Sequence, residues 1–447
     1  MRSISIVGTG YVGLSTAVCF ASRGYHVIAA TQDTEKAQAI NAKRAPFYEP
    51  GLNQMLEKEI ELGTLQAVDA RDEAVTHTEA TFITVGTPEQ ADGRIDLRYV
   101  VRAAEDIGLA LKEKNAYHLV VVKSTVVPGT TRDVVRPILE RASGLKAGPD
   151  FGLCMSPEFL RQGSAIEDTL SPDRVVIGEY DTSSGQMLTD LFASFYTQSV
   201  LMLRMALESA EMVKYASNAF LASKISYTNE IANICERISG IDVSQVMKGV
   251  GLDPRIGPKF LNAGAGFGGS CLSKDAKALC KLAELRSYET PLLRAALAIN
   301  DAQAHHVAKC ALSKLGQPKD KKVALLGLAF KPNTDDVRDA PSLKIAKALI
   351  EAGAYVSAFD PVVKKISAPG LEALECASSI KTCLAGAHCC VIVTEWEQFR
   401  ALEPEDFVKR MAEPILIDAR RIYDPQLFRD KLTFSAVGLS DDPISHD

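Results

Sequence analysis

The chain has 447 residues, 47% apolar and 24% charged, with a net charge of −6, which is ordinary globular usage for two or three domains of about 150 residues each. Lysine plus arginine total 50 against 56 acids, with no basic block, so neither a nucleic-acid partner nor a disordered chain is expected. Ten cysteines without a CxxC pair suit buried thiols in a reducing cytoplasm, not a disulfide scaffold or a metal site.

Residues 3–7 predict a strand ending at Gly8, and 27–30 predict another. Between them Val12, Ala17, Val18 and Phe20 have helical spacing. The twenty uncharged residues between Arg2 and Arg23 resemble a leader only in length. Gly8, Gly10 and Gly13 break them where a leader or membrane span needs a continuous apolar core, and no membrane partner is expected. Apolar runs at 80–85, 119–122 and 151–155 then alternate with helix-length segments, the pattern of a doubly wound parallel sheet.

From 206 to 236 the texture changes. Met212, Ala216, Ala219, Phe220, Ile225, Ile231 and Ile234 recur at helical spacing without a proline or glycine. One long helix or two short ones fit this pattern. A helix of about 30 residues spans ~45 Å, too long for a crossover and suited to a domain connector or an oligomer core. A polar stretch at 317–322 reads as a linker end, after which 322–327, 355–360, 389–394 and 415–418 restart the strand pattern. The predicted fold is α/β: two Rossmann-like doubly wound parallel-sheet domains joined by a long central helix, with boundaries at 1–205, 206–315 and 316–447.

Gly8-Thr9-Gly10-Tyr11-Val12-Gly13 follows the first strand and opens a helix. Its first glycine allows the tight turn, its second lets the backbone approach a pyrophosphate, and its third lets helix and strand pack closely. An acid normally ends the second strand and takes the ribose hydroxyls. Here Thr31 stands there, with Asp33 two residues on and Lys36 five. A threonine neither demands NAD nor repels the 2′-phosphate of NADP, so both dinucleotides stay open at this point.

The stretch Gly264–Asp275 sets Cys271, Lys274 and Asp275 behind a run of glycines. A nearby ammonium favours the nucleophilic thiolate. On chemistry alone, a buried cysteine beside a glycine loop is an equal reading, and the lysine also suits a phosphate clamp. His305-His306 are an isolated adjacent pair of histidines, and Cys389-Cys390 lie in an apolar strand. These read as surface and core residues, with no metal site.

Several ordered blocks make the chain resemble the nucleotide-sugar 6-dehydrogenases, and within them the UDP-glucose branch. They are the N-terminal glycines, Lys123-Ser124-Thr125-Val126, Ser156-Pro157-Glu158-Phe159-Leu160, Glu211 to Phe220, Asp253-Pro254-Arg255-Ile256-Gly257 with the cysteine loop, Gly327 to Lys331, and Asp336 to Pro341. The resemblance implies NAD-dependent four-electron oxidation of UDP-glucose to UDP-glucuronate. Cys271 is the implied nucleophile, forming a thiohemiacetal and then a thioester.

It further implies that Lys214 and Asn218 stabilise the tetrahedral oxygen. Asp275 and Thr125 hold a water, and Glu158 acts as a base or at the thioester stage. Phe159, Leu160, Arg255 (from a neighbouring subunit of a homodimer or larger homo-oligomer), Phe260, Leu261, Asn262, Gly266, Phe267 and Gly268 are implied substrate contacts. Phe330, Lys331 and one of Arg420 or Arg421, with Arg421 the choice, complete the UDP pocket from the C-terminal domain. Thr87, Gln162, Lys274 and Arg338 fall on the cofactor side, Gln162 where the family commonly has glutamate. GDP-mannose and UDP-N-acetylhexosamine dehydrogenases are the alternatives within the family. The latter typically show Gly-His-Cys where this chain has Gly-Ser-Cys. A non-catalytic nucleotide-sugar-binding protein is the alternative outside catalysis.

Overall fold

The computed structural model describes residues 1–440, without the side chains of residues 71 and 72. The chain divides after Ser217 into two compact units. In the first, β1 (Ser3–Val7), β2 (His26–Ala30), β3 (Leu65–Val68), β4 (Ala80–Ile83), β5 (Leu119–Val122), β6 (Gly152–Met155), β7 (Val175–Glu179) and β8 (Met202–Ala206) form one sheet in the order β3-β2-β1-β4-β5-β6-β7-β8. Pairing is parallel except between β6 and β7, so the expected all-parallel sheet carries one reversal. The connection between them carries the helix Ala165–Leu170.

Alternate residues of each strand enter opposite faces. Ile4, Ile6, Val27, Ala29, Phe82 and Val121 pack on one side, and Val7, Ile28, Ile83, Val120 and Val122 on the other. Burial on both faces explains why these strands read as unbroken apolar runs. Two of the strands absent from the sequence reading lack that signature: β3 alternates with the exposed Gln66, and β8 carries Arg204 and leaves Leu203 exposed at the sheet edge. The third, β7, has it in Val175-Val176-Ile177, buried on both faces, and was missed.

In the second unit, β9 (Lys322–Leu326), β10 (Tyr355–Phe359), β11 (Glu375–Cys376), β12 (Cys389–Ile392), β13 (Ile415–Asp418) and β14 (Thr433–Ala436) form a wholly parallel sheet, β11-β10-β9-β12-β13-β14. Of the two arrangements left open for 206–236, one is observed: a single helix, Leu207–Cys235, of 29 residues. The boundary between the units falls within it. Among the described residues, no helix is long and apolar enough to cross a membrane.

Candidate active site

The first unit places the glycine motif between the end of β1 and the helix Tyr11–Ser22. Gly8 adopts φ +109°, and an added Cβ there would lie 2.8 Å from the Val85 nitrogen. A Cβ on Gly13 would lie 1.8 Å from the Gly8 carbonyl oxygen, whereas Gly10 faces open space. Helix and strand thus touch through Gly13 while Gly10 leaves room at the helix N-terminus, which no side chain caps. The buried Thr9 hydroxyl beside it has no hydrogen-bond partner among the described residues. An uncapped N-terminus presents N–H groups and a positive dipole end to an anion, so these residues, with Tyr11 and Val12, fit a dinucleotide pyrophosphate.

Thr31 is nearly buried at the end of β2, its hydroxyl receiving the Asp33 N–H at 3.3 Å. Asp33 is committed locally: its carboxylate accepts the Lys36 N–H at 3.0 Å and caps the helix Thr34–Asn41. Asp33 caps that helix through one oxygen, and Lys36 lies in its first turn. Of the residues expected on the cofactor side, Thr87 donates its hydroxyl to the Thr125 carbonyl at 2.9 Å. Gln162 is half-buried in the loop after Leu160, which Glu49 holds by accepting from Gly163 and Ala165 N–H at 2.7 and 2.8 Å.

Glu158 and Lys214 form an ion pair at 3.0 Å, with side chains only 7% and 5% exposed. The Lys214 ammonium also lies 5.5 Å from the centre of the Phe159 ring, on which Arg174 stacks at 4.1 Å. Lys123, just past β5, belongs to the same cluster. Burial, together with the Lys214 charge and against the pull of Glu158, pushes its ammonium down to about 8. The sequence reading quoted Lys123 but gave a role only to Thr125. Its position immediately after an apolar strand, beside the strand that ends before Glu158, was the available signal.

In the second unit Cys271 is the N-cap of the helix Leu272–Glu284, and it is the one exposed residue among the ten cysteine thiols. A helix N-terminus favours negative charge on the sulfur. Others are inert by burial, which pushes the thiols of Cys19 and Cys383 up to about 12. Cys389 and Cys390 are fully buried.

Lys274 directs its charge to a carboxylate. Its ammonium pairs with Asp275 at 2.6 Å, and Asn218 donates its amide to the other oxygen of that carboxylate at 2.7 Å. Asp275 is 1% exposed and is thus held between two donors, one turn after Cys271. Asn218 keeps a second amide hydrogen for another acceptor.

The glycine loop is buried from Ala263 to Gly269, with Asn262 exposed before it. Phe267 exchanges two hydrogen bonds with the Asn300 side chain, at 2.7 and 3.1 Å. Gly264 donates to Asn229 at 2.8 Å and accepts from Gln303 at 3.0 Å. These amides escaped the sequence reading because a buried Asn or Gln at helical spacing looks like an ordinary helix-face residue. Close approach requires the glycines: a Cβ on Gly268 would lie 2.6 Å from the Asp339 carbonyl, and one on Gly269 2.9 Å from the Phe330 ring. Leu261 is buried, Phe260 is partly exposed at φ +65°, and Lys331 sits 5.7 Å from the Phe330 ring centre.

The two candidate arginines differ. Arg421 makes a two-pronged pair with Asp242, 2.7 Å to each oxygen, with 9% of its side chain exposed. Arg420 pairs with Glu395 at 3.3 Å, donates to the Val393 carbonyl at 2.5 Å, and also reaches the Gly266 and Phe330 carbonyls at 3.4 and 3.5 Å. The guanidinium beside the loop is therefore that of Arg420, and the choice of Arg421 does not match this geometry. Arg338 pairs with Asp336 at 2.6 Å, and Arg255, 87% exposed, pairs with Asp253 at 2.6 Å. His306 pairs with Glu236 at 2.7 Å.

Three successive regions match the UDP-glucose/GDP-mannose dehydrogenase family: residues 2–196 its NAD binding domain, 208–302 its central domain, and 324–425 its UDP binding domain. The chain is 41% identical over 421 residues to UDP-glucose 6-dehydrogenase AglM of Haloferax volcanii, covering 94% of this chain and 96% of that one. It is similar in structure to a UDP-glucose dehydrogenase of Pyrobaculum islandicum, with TM-score 0.90, 37% identity and 98% of each chain covered. It is also similar to a UDP-D-ManNAc dehydrogenase of Pyrococcus horikoshii, with TM-score 0.86, 30% identity, and 98% of this chain and 100% of that one covered.

Proposed function

The chain belongs to the UDP-glucose/GDP-mannose dehydrogenase family and is an NAD-dependent dehydrogenase, and on that premise we propose that it oxidises UDP-glucose to UDP-glucuronate through a thioester on Cys271. The observation that carries this reading is the lone exposed thiol at a helix N-terminus, one turn from the buried Asp275. The overall change consumes one water: alcohol, water and two NAD give carboxylate, two reduced NAD and three protons. NAD, when bound on the glycine motif, accepts a hydride in each oxidation.

The residues divide the remaining work. The Cys271 thiolate adds to the aldehyde carbon and retains it covalently, which makes the second oxidation that of a tetrahedral alcohol. Lys214 and Asn218, four residues apart on one helix, donate to the oxygen that becomes negative. Asp275 and Thr125 place the water that cleaves the thioester and returns the thiolate, with Asp275 taking a proton. Glu158 holds Lys214 and serves as the second carboxylate of the site. Phe159, Leu160, Phe260, Leu261, Asn262 and the 266–268 backbone bind the nucleotide sugar with Phe330 and Lys331. Arg420 takes the part first given to Arg421. Thr87, Gln162, Lys274 and Arg338 serve the cofactor side.

We assign dinucleotide binding to 1–205, the connector and cysteine loop to 206–315, and UDP-sugar binding to 316–447. The assembly is a homodimer or larger homo-oligomer in the cytoplasm. Met212, Phe220, Tyr227 and Ile234 support a helix-to-helix interface, since all four are exposed at intervals of about two turns along Leu207–Cys235. The exposed Arg255, held by Asp253, then completes a neighbour's site.

The test is purified protein with NAD and, separately, UDP-glucose, GDP-mannose and UDP-N-acetylmannosamine, following absorbance of reduced nicotinamide. UDP-glucose should give the highest kcat/KM. The resemblance to the Pyrococcus horikoshii enzyme keeps UDP-N-acetylmannosamine as the second reading, and higher turnover with it would replace ours. No turnover with any of the three would reduce the protein to a binding role.

A further inference from the structure

Glu211 opens the block that carries Lys214 and Asn218, and no role has yet been given to it. It lies in the helix Leu207–Cys235 with no exposed surface. Its carboxylate accepts three hydrogen bonds from the segment that follows Thr125. One oxygen takes the Gly129 N–H at 2.6 Å. The other takes the Thr131 N–H at 2.8 Å and the Thr131 hydroxyl at 2.6 Å. Thr131 opens a π-helical turn, Thr131–Val135, a backbone form that concentrates at functional sites. Thr125 is tied on its other side by the Thr87 hydroxyl. Three residues beyond Glu211, and so beside it on the helix surface, Lys214 holds Glu158 at 3.0 Å. One helical turn therefore grips both the Thr125 segment and the Glu158 segment, all within the first unit.

We propose that Glu211 is a positioning residue for the oxidation, its ionised carboxylate pinning the 125–131 segment, and with it Thr125, to the helix turn that presents Lys214. The inference rests on the functional reading above for the reaction it serves. The ionised group accepts from all three donors at once. A neutral acid must turn its O–H toward one of them and loses at least one bond. Burial and the neighbouring Glu208 push the Glu211 carboxyl up to about 7, against the pull of the Thr131 and Gly129 donors. The charged groups around it are Glu208 and Lys214 on its own helix, with Arg132 and Asp133 on the facing turn, where Arg132 pairs with Glu208. As pH falls through about 7 the clamp loosens and Thr125 loses its fixed place. Unfolding does not mimic this. A carboxyl raised by burial adds to stability below its ordinary range and loses that contribution as pH rises toward 7, so acid favours the folded chain at this site.

The experiment is kcat for UDP-glucose oxidation from pH 5.5 to 8.5 in three proteins. The wild type should lose activity below a midpoint near 7. Glu211→Gln should stay at the low value throughout, roughly 10- to 100-fold below the wild-type plateau, the scale of a misplaced catalytic group. Thr131→Val removes one donor that favours the carboxylate and should move the midpoint up by about 1 unit. A midpoint that does not move in Thr131→Val, or a Glu211→Gln enzyme with the full wild-type profile, overturns the proposal. Amide exchange at Gly129 and Thr131, corrected for its intrinsic pH dependence, gives a readout without substrate. Protection should be higher at pH 8 than at pH 6 in the wild type and low at both in Glu211→Gln. Protection that is independent of pH in the wild type also overturns it. A wild type that reduces no NAD with UDP-glucose counts against the functional reading alone, and the exchange data then decide the clamp.

Discussion

Replacing Lys214 with methionine leaves the Glu158 carboxylate buried opposite an apolar side chain of similar length. The pair is 3.0 Å apart and nearly excluded from water. At an effective dielectric near 20, the charges attract by about 5 kcal/mol. Removing one partner of a buried pair typically costs about 3–5 kcal/mol, because the remaining charge stays desolvated. The Phe159 ring contact adds about 0.5–1 kcal/mol. Lys123 works the other way: relieved of the Lys214 charge, its ammonium gains against the neutral form and partly compensates Glu158.

The expected cost is therefore at the low end, about 3 kcal/mol, or roughly 6–12 °C in the melting temperature of a unit of this size. Glu158→Gln should cost a similar amount by leaving two cations together. The double variant should cost less than the sum by at least about 2 kcal/mol. Calorimetry or far-ultraviolet circular dichroism suits this test, because the sole tryptophan, Trp396, lies in the second unit while the pair lies in the first. A Lys214→Met cost below about 1 kcal/mol, or simple additivity in the double variant, would refute the reasoning.

Cys271→Ser should lower turnover about 1000-fold or more, the scale on which loss of a covalent nucleophile is felt, while calorimetric titration still shows NAD and UDP-glucose binding; near-normal turnover would make the thiol structural. Thr31→Asp should raise the NAD-over-NADP ratio of kcat/KM by roughly 30- to 150-fold, about 2–3 kcal/mol, since it places a carboxylate at the end of β2 where the chain now has a hydroxyl. An unchanged ratio would show that Thr31 is not what admits NADP. Phe220→Glu with Tyr227→Glu should give a monomer by light scattering and cut turnover by about 10-fold or more as the neighbour's Arg255 is lost; an active oligomer of wild-type mass would contradict the proposed interface.

Legibility along the chain followed burial. Strands with both faces covered, such as Leu119–Val122 and Ile415–Asp418, were readable to the residue, because nothing polar interrupts them. Edge strands Met202–Ala206 and Glu375–Cys376 were not, since one row of their side chains meets solvent and carries charge. The β6–β7 reversal leaves no periodic trace, because strand direction does not change which side chains are buried. At the site, Gly8, Gly13 and Gly269 were legible because a side chain there would collide with backbone or ring. The pairing of Lys274 with Asp275, the Asp33 cap and the choice between Arg420 and Arg421 depend on where side chains turn after the backbone is placed. Adjacent residues with the same charge cannot be ranked by spacing.

Counting reduced cofactor against sugar consumed tests the central claim most directly. With limiting UDP-glucose and excess NAD, capture of the aldehyde on Cys271 requires two reduced NAD per sugar, and an aldehyde trap such as semicarbazide should recover none in solution. One reduced NAD per sugar, with free aldehyde recovered by the trap, would contradict the covalent four-electron account.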